Sequence, residues 1–242
     1  MGRRARAGVA LLVAGVVGLV IAASGVAAGG ETPVVVPVGG LVANFNFAVV
    51  PKLLPKGGGP AELKVAIEEE EPRTGVPLGI AGATIGLDES IGFDFDGVPR
   101  CLYGVQVDAA EPNECDKAVV GKAEAKAFVD FPEGDPINLH SRGTVYKAGA
   151  TKLVVKLPFE QPVSGELVFP VPIRTGLSGD QLTIKIPQIT GGFGSLTSLE
   201  LDLERTYVTA ECRRGKLRAS ANVVLGDGSE ESSEATRACT GG

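Results

Sequence analysis

Val119-Val120-Gly121-Lys122-Ala123-Glu124-Ala125-Lys126-Ala127-Phe128-Val129-Asp130-Phe131 is the stretch whose reading decides the fold. Val119, Gly121, Ala123, Ala125, Ala127, Val129 and Phe131 share one parity, and Lys122, Glu124, Lys126 and Asp130 share the other. A helix competes for this segment, because Lys, Glu and Ala are good helix formers. A helix would need its apolar residues three and four apart, whereas a period of two places them on one face of a strand.

The same parity recurs outward from this stretch. Leu63, Val65 and Ile67 alternate with Glu62, Lys64 and Ala66, and Ile91, Phe93 and Phe95 alternate with Gly92, Asp94 and Asp96. Further strands are expected over 41–50, 153–159, 166–173, 181–186, 198–209, 216–225 and 232–239, with Gly226-Asp227-Gly228 turning the last hairpin. The four carboxylates of Glu68 to Glu71 should repel one another and keep their segment at the surface. Helical periodicity is almost absent, so the expectation is an all-β fold, an antiparallel β-sandwich with a barrel-like alternative.

The N-terminus reads differently. Arg3, Arg4 and Arg6 precede an apolar run from Gly8 to Ala23, and Ser24-Gly25-Val26-Ala27-Ala28 supplies small residues suited to signal cleavage. The expectation is an export signal cut after Ala28; the competing reading is a retained membrane anchor, for which the run from Ala7 to Ala28 is long enough. Residues 29–40, GGETPVVVPVGG, read as an extended tether, because Pro33 and Pro37 exclude helix. Residues 41–242 then form a single β domain.

With the arginines of residues 1–28 set aside, 20 cations face 29 carboxylates. That balance argues against nucleic acid and against an anionic membrane surface as partners, leaving residues 1–28 as the membrane contact if uncleaved. Cys101, Cys115, Cys212 and Cys239 all follow the apolar run, and an even count in an exported chain reads as two disulfides. Cys101 with Cys115 and Cys212 with Cys239 are the favoured pairs, since each brackets a turn. Zinc would need close ligand pairs, and the chain has no C-x-x-C and one histidine.

Several pieces of the chain occur together in a known group: Leu54-Pro55-Lys56-Gly57-Gly58, Gly97-Val98-Pro99-Arg100-Cys101, Val119 to Ala123 after Cys115, Ile186 to Ser198, Ala210-Glu211-Cys212, and Asp227-Gly228 ahead of Arg237-Ala238-Cys239. In these the chain resembles secreted, β-rich proteins of actinobacteria that carry no assigned activity. The resemblance implies an exported β fold and transfers no catalytic or binding residue; between Asp96 and Gly97 the chain is shorter than the group's pattern.

Candidate chemistry is sparse. Asp94-Phe95-Asp96-Gly97 has the alternating carboxylates and glycine of a calcium loop, but the twelfth position is Val105 where an EF-hand needs Glu. An irregular calcium site would combine Asp88, Glu89, Asp94 and Asp96, with Asp94 and Asp96 the metal candidates. Gly191-Gly192-Phe193-Gly194-Ser195 lacks the Lys-Ser/Thr ending of a P-loop and the G-x-S-x-G spacing of a nucleophile elbow, so its glycines read as a tight turn. His140 is the one histidine available as a base for Ser195. Paired carboxylates for glycoside chemistry depend on the fold. With no Trp and only Tyr103, Tyr146 and Tyr207, however, the chain is poorly equipped to stack sugars. No catalytic residue and no cofactor is assigned. The expected role is non-enzymatic, structural or adhesive at the cell envelope with a protein partner there; a small-ligand or metal binder comes second and a hydrolase third.

Overall fold

Twelve strands build one antiparallel sheet in a computed structural model. It describes residues 34–37, 43–69, 76–101, 114–160 and 164–241. The proposed signal or anchor and the loop between Cys101 and Glu114 lie outside the described residues. In chain order the strands are β1 (Val34–Pro37), β2 (Ala43–Val50), β3 (Glu62–Glu69), β4 (Ile80–Leu87), β5 (Val119–Val129), β6 (Ile137–Gly149), β7 (Lys152–Phe159), β8 (Gly165–Gly176), β9 (Gly179–Lys185), β10 (Gly194–Leu203), β11 (Lys216–Leu225) and β12 (Glu230–Ala238). Their order across the sheet is β1-β12-β11-β4-β9-β8-β7-β6-β5-β10-β3-β2.

The sheet curls into a nearly closed, barrel-like form because of β8 and the seam between β2 and β12. Residues 165–172 of β8 pair with β7, whereas 173–176 pair with β9 on the opposite edge, so one strand belongs to both halves of a sandwich. Its prolines fit that division: Pro170 and Pro172 stand where only one edge of β8 is paired, so their missing N–H groups break no ladder. At the seam, Arg237 Nε donates to the Phe47 carbonyl at 2.9 Å and Glu231 Oε2 accepts from the Ala43 amide at 3.1 Å.

The deciding stretch folds as the parity requires. Ala123, Ala125, Ala127 and Val129 are buried, while Lys122, Glu124 and Lys126 face solvent. A bulge alters its first turn: Val119 pairs with Tyr146 and Gly121 with Val145, leaving Val120 extra. A bulge shifts parity by one, so Val120 is fully buried and Val119 only half-buried, contrary to the simple alternation. The interior is packed solid by Phe45, Phe47, Leu63, Leu157, Phe169 and Leu182, each at most 1% exposed. Alanines and Gly143 let the strands approach closely; a methyl at Gly143 would strike the Lys156 carbonyl.

Four other expectations need correction. Ile80–Leu87, absent from the expected strands, is central, lying between β11 and β9. The expected strand 198–209 divides into β10 and Val208–Ala210 around a turn closed by Tyr207 N to Glu204 O at 3.0 Å. Part of the expected tether, Val34–Pro37, joins the sheet by pairing with Thr236 to Ser233 of β12, which a run of three valines favours. Glu69 is buried, not repelled outward: its Oε1 accepts from Leu78 N at 2.6 Å and its Oε2 from Gly79 N at 2.9 Å. Two backbone donors replace the water that a carboxylate would otherwise require.

Both expected disulfides are present, Cys101–Cys115 with Cα atoms 4.5 Å apart and Cys212–Cys239 at 5.8 Å. Both lie at the end of the barrel where β4, β10 and β12 finish and β5 and β11 begin. A small sheet of Gly59–Pro60, Val208–Ala210 and Ile91–Phe93 and a pairing of Leu53–Leu54 with Thr240–Gly241 cap the same end.

Candidate functional site around Arg213

The Asp94 to Gly97 loop sits in this cap, and its chemistry is already satisfied. Asp94 Oδ1 accepts from the Asp96 amide at 3.0 Å, fixing its own turn. The Lys147 ammonium donates to the carbonyls of Phe95 at 2.7 Å and Val98 at 2.5 Å. Backbone oxygens that would face calcium therefore face a lysine. Asp88 Oδ1 accepts from Ser90 N at 3.1 Å and Ser90 Oγ at 2.5 Å, and Glu89 reaches Arg213 at 3.8 Å. Asp88, Glu89, Asp94 and Asp96 are not gathered, and no group of three metal-ligating side chains is found among the described residues.

At the opposite end, Gly191 and Gly192 take φ of 68° and 101° and turn the chain between β9 and β10, the role their spacing implied. Thr190 precedes them at φ 48°, an unfavourable value for a β-branched residue, and its buried Oγ1 has no hydrogen-bond partner. Ser195 and His140 are not brought together. Ser195 opposes Phe128, His140 opposes Lys126, and β5 runs between them, so strand spacing alone separates the pair by roughly 10 Å. His140 instead faces Glu124 at 3.7 Å on the solvent side, beside the Arg142–Glu124 pair at 3.1 Å.

Carboxylates on the outer sheet face are likewise engaged. Lys64 bridges Glu62 at 3.0 Å and Asp202 at 2.9 Å, and Lys126 meets Glu68 at 2.6 Å. The Lys64 ammonium is held well above its ordinary range, first by its hydrogen bond to Asp202 and then by that to Glu62. Tyr207 leans on Phe95 with ring centres 6.4 Å apart, half-buried and unfit as a sugar platform.

What sequence reasoning missed lies around Arg213. The Cys212–Cys239 bond and the Cys239 N to Gly215 O hydrogen bond of 3.0 Å tie the 211–216 turn to the end of β12. Beyond it, the alternation of β11 buries Leu217, Ala219 and Ala221 and turns Lys216, Arg218 and Ser220 outward. An open hollow of about 510 Å³ forms there, lined by Arg213, Arg214, Lys216, Arg218, Ser90, Ser178 and Ser220, with Asp88, Glu89 and Glu234 also at its wall. Two neighbouring hollows, of about 410 and 480 Å³, also border Arg213, the latter including Lys56.

Electrostatics divides the four cations. Arg213 Nε donates to Glu211 Oε2 at 2.6 Å, and that hydrogen bond, followed by the charge of Glu211, raises its pKa further. Arg214, Lys216 and Arg218 are exposed and have no carboxylate at ion-pair distance among the described residues. Such a set can hold anions by charge and by the serine hydroxyls. The signal was available in the sequence: Arg213-Arg214-Gly215-Lys216-Leu217-Arg218 places four cations in six residues of an otherwise acidic chain. In comparisons with known proteins, no family model, no curated protein and no solved structure matches the chain.

Proposed function

We propose that the chain is an exported, non-enzymatic β module of the cell envelope, structural or adhesive, that acts through its outer surface. The carrying observation is the filled interior. Small ligand-binding barrels keep a lumen open, whereas here Phe45, Phe47, Phe169 and their neighbours occupy it, which leaves loops and outer faces for recognition. Two disulfides suit an oxidising compartment and support export. The N-terminal apolar run and the resemblance to secreted actinobacterial proteins support the same reading.

In-cell crosslinking of the exported protein followed by mass spectrometry tests it. Recovery of a defined envelope component is expected. Confinement of the chain to the cytoplasm with reduced cysteines would overturn export, and a turnover activity lost on a point substitution would overturn the non-enzymatic role. A second reading, a small-ligand binder, is favoured by the hollow at Arg213. It puts the ligand beside cations, with Asp88 and Glu89 of the acidic loops at the wall of the same hollow.

A further inference from the structure

We propose that the end of the barrel opposite the disulfide cap docks a polypeptide segment of an envelope partner that is apolar at its centre and cationic at both ends. Leu78 and Phe193 are its anchors, and Asp130, Glu133, Asp135 and Asp227 form the charged rim. This deepens the adhesive reading by naming the face and the partner's chemistry, and rests on it only for where the partner is met.

Apolar side chains gather at that end. Phe193 is 47% exposed, Leu78 39% and Val76 54%, and Phe131 packs on Phe193 with ring centres 6.0 Å apart. The two anchors are neighbours through Gly79 and Ser195, since a methyl at Gly79 would stand 2.5 Å from Ser195 Cβ. Counted at about 3.8 Å per residue, Leu78 and Phe193 lie within roughly 16 Å of each other. Single exposed apolar residues are ordinary, whereas grouped ones mark contact surfaces.

Both anchors are held on fixed backbone. The Glu69 carboxylate accepts from Leu78 N at 2.6 Å and from Gly79 N at 2.9 Å. In the turn before β10, Gly192 N and Gly194 N both donate to Ile189 O at 3.0 Å, and Phe193 O accepts from Asp130 N at 2.9 Å. That turn buries Ile189 and leaves Phe193 outside. About half of a side chain able to bury roughly 150 to 250 Å² is thus kept in water. A partner that covers it pays little ordering entropy.

The rim identifies the occupant. Asp130 adjoins Phe193 through their hydrogen bond, and Asp227 adjoins Leu78 through Gly226, where a methyl would strike the Leu78 carbonyl. Residues 130–136, 186–193 and 226–230 carry Asp130, Glu133, Asp135, Asp227 and Glu230, all exposed, and no Lys or Arg. Among the described residues, Lys185 at the end of β9 and Lys126 on β5 approach these loops along their strands, and Lys126 is engaged by Glu68 at 2.6 Å. No three metal-ligating side chains gather among the described residues, so the charge lies in a row and not at a point. From Asp227 past Leu78 and Phe193 to Asp130 the row is up to roughly 30 Å long, the reach of about nine extended residues. A segment with Lys or Arg at its ends and apolar side chains between them answers both the acids and the anchors, whereas an anionic leaflet is repelled. A second copy offers only mixed charge, because its Arg214, Lys216 and Arg218 stand beside Asp88, Glu89 and Glu234.

The chain has no tryptophan, so Phe193→Trp in the full chain gives a single indole on this face. Its emission is followed with a nine-residue peptide that has two lysines at each end and valines and leucines between them. The same peptide with glutamates for lysines, and nonalysine, serve as controls. The expected result is a blue shift with the lysine-ended apolar peptide only, weakened by salt. An exposed ion pair is worth about twofold in binding, so Asp130→Asn/Glu133→Gln/Asp135→Asn/Asp227→Asn should weaken it about fifteenfold. Phe193→Ala, followed by calorimetry, should weaken it about thirtyfold, the loss of an aromatic anchor. Leu177→Trp at the capped end should stay unshifted. An unshifted Phe193→Trp, an equal response to the glutamate peptide, a shift with nonalysine or calcium alone, or a response from Leu177→Trp overturns the proposal. So does self-association of the chain that Phe193→Ala abolishes, which would make a second copy the occupant. Should the fourfold variant unfold, the salt dependence of the Phe193→Trp titration still decides the role of charge. An envelope partner crosslinked only through other faces would overturn this docking face and leave the envelope reading standing. Confinement to the cytoplasm would sink that reading and leave the peptide result untouched.

Discussion

Glu69 gives the most direct test of how this barrel is held together. Its carboxylate is 7% exposed and accepts two amides, Leu78 N at 2.6 Å and Gly79 N at 2.9 Å, pinning the chain just before β4 enters the sheet. Glu69→Ala removes both acceptors and leaves two donors at a site that water reaches poorly. Hydrogen bonds to a charged group contribute about 1.5 to 3 kcal/mol each, so the loss should be about 3 to 6 kcal/mol. Against a total of about 5 to 15 kcal/mol this is a large fraction. For a domain of this size the melting temperature should fall by about 10 °C. Glu69→Gln keeps one acceptor oxygen and should lose about half as much. Urea unfolding with the disulfides intact, read with hydrogen exchange at Leu78 and Gly79, supplies the numbers. A Glu69→Ala variant within about 0.5 kcal/mol of wild type, the scatter of ordinary surface substitutions, would refute the reasoning. Equal losses for Ala and Gln would refute it too, because the number of acceptors would then not matter.

Gly143→Ala should destabilise by about 1 to 3 kcal/mol, because its methyl strikes the Lys156 carbonyl at the end of the β6–β7 ladder; a melting temperature equal to wild type would contradict this. Removing Cys212–Cys239, which spans 27 residues, should cost about 3.5 kcal/mol, and removing Cys101–Cys115, which spans 14, about 3 kcal/mol; denaturant midpoints of the double-alanine variants measure both. Asp227 is held below its ordinary range, first by the Ser229 hydroxyl at 2.6 Å and then by the Ser229 amide at 2.9 Å. The stability it adds is therefore present above the unfolded carboxylate pKa and lost as pH falls through the lower folded value. A carboxyl NMR titration should show the Asp227 midpoint moving up in Ser229→Ala, and an unmoved midpoint would discard that account.

Most strands were legible because burial on one face imposes a period of two. β11 is found at the bounds expected, Lys216–Leu225, since Leu217, Ala219, Ala221, Val223 and Leu225 all face the core. β4 was not legible. Ile80-Ala81-Gly82-Ala83-Thr84-Ile85-Gly86-Leu87 buries Ile85 and Leu87 but carries only Gly82, Thr84 and Gly86 opposite them, with no charged residue to mark an outer face, and neighbouring strands close over those glycines. Glu69 was misread for a related reason. A run of acids predicts exposure only when nothing donates to it, and its donors arrive from residues 78 and 79 across a connection that local sequence does not orient. The Arg213 site was half legible. The cations stand together in sequence, but Ser90, Ser178 and Lys56 join them only in space.

By itself the sequence determined the all-β class, the inward and outward sides of most strands, and the pairing of Cys101 with Cys115 and Cys212 with Cys239. These follow from alternation and from short separations, which are local. Tertiary structure alone decided that β8 would bridge two sheet halves, that Val34–Pro37 would join β12, that Lys147 would hold the carbonyls of Phe95 and Val98, and that Ser90 and Ser178 would meet the cations around Arg213. Those outcomes depend on which strands become neighbours, and in a sheet each neighbour is chosen by contacts made far along the chain.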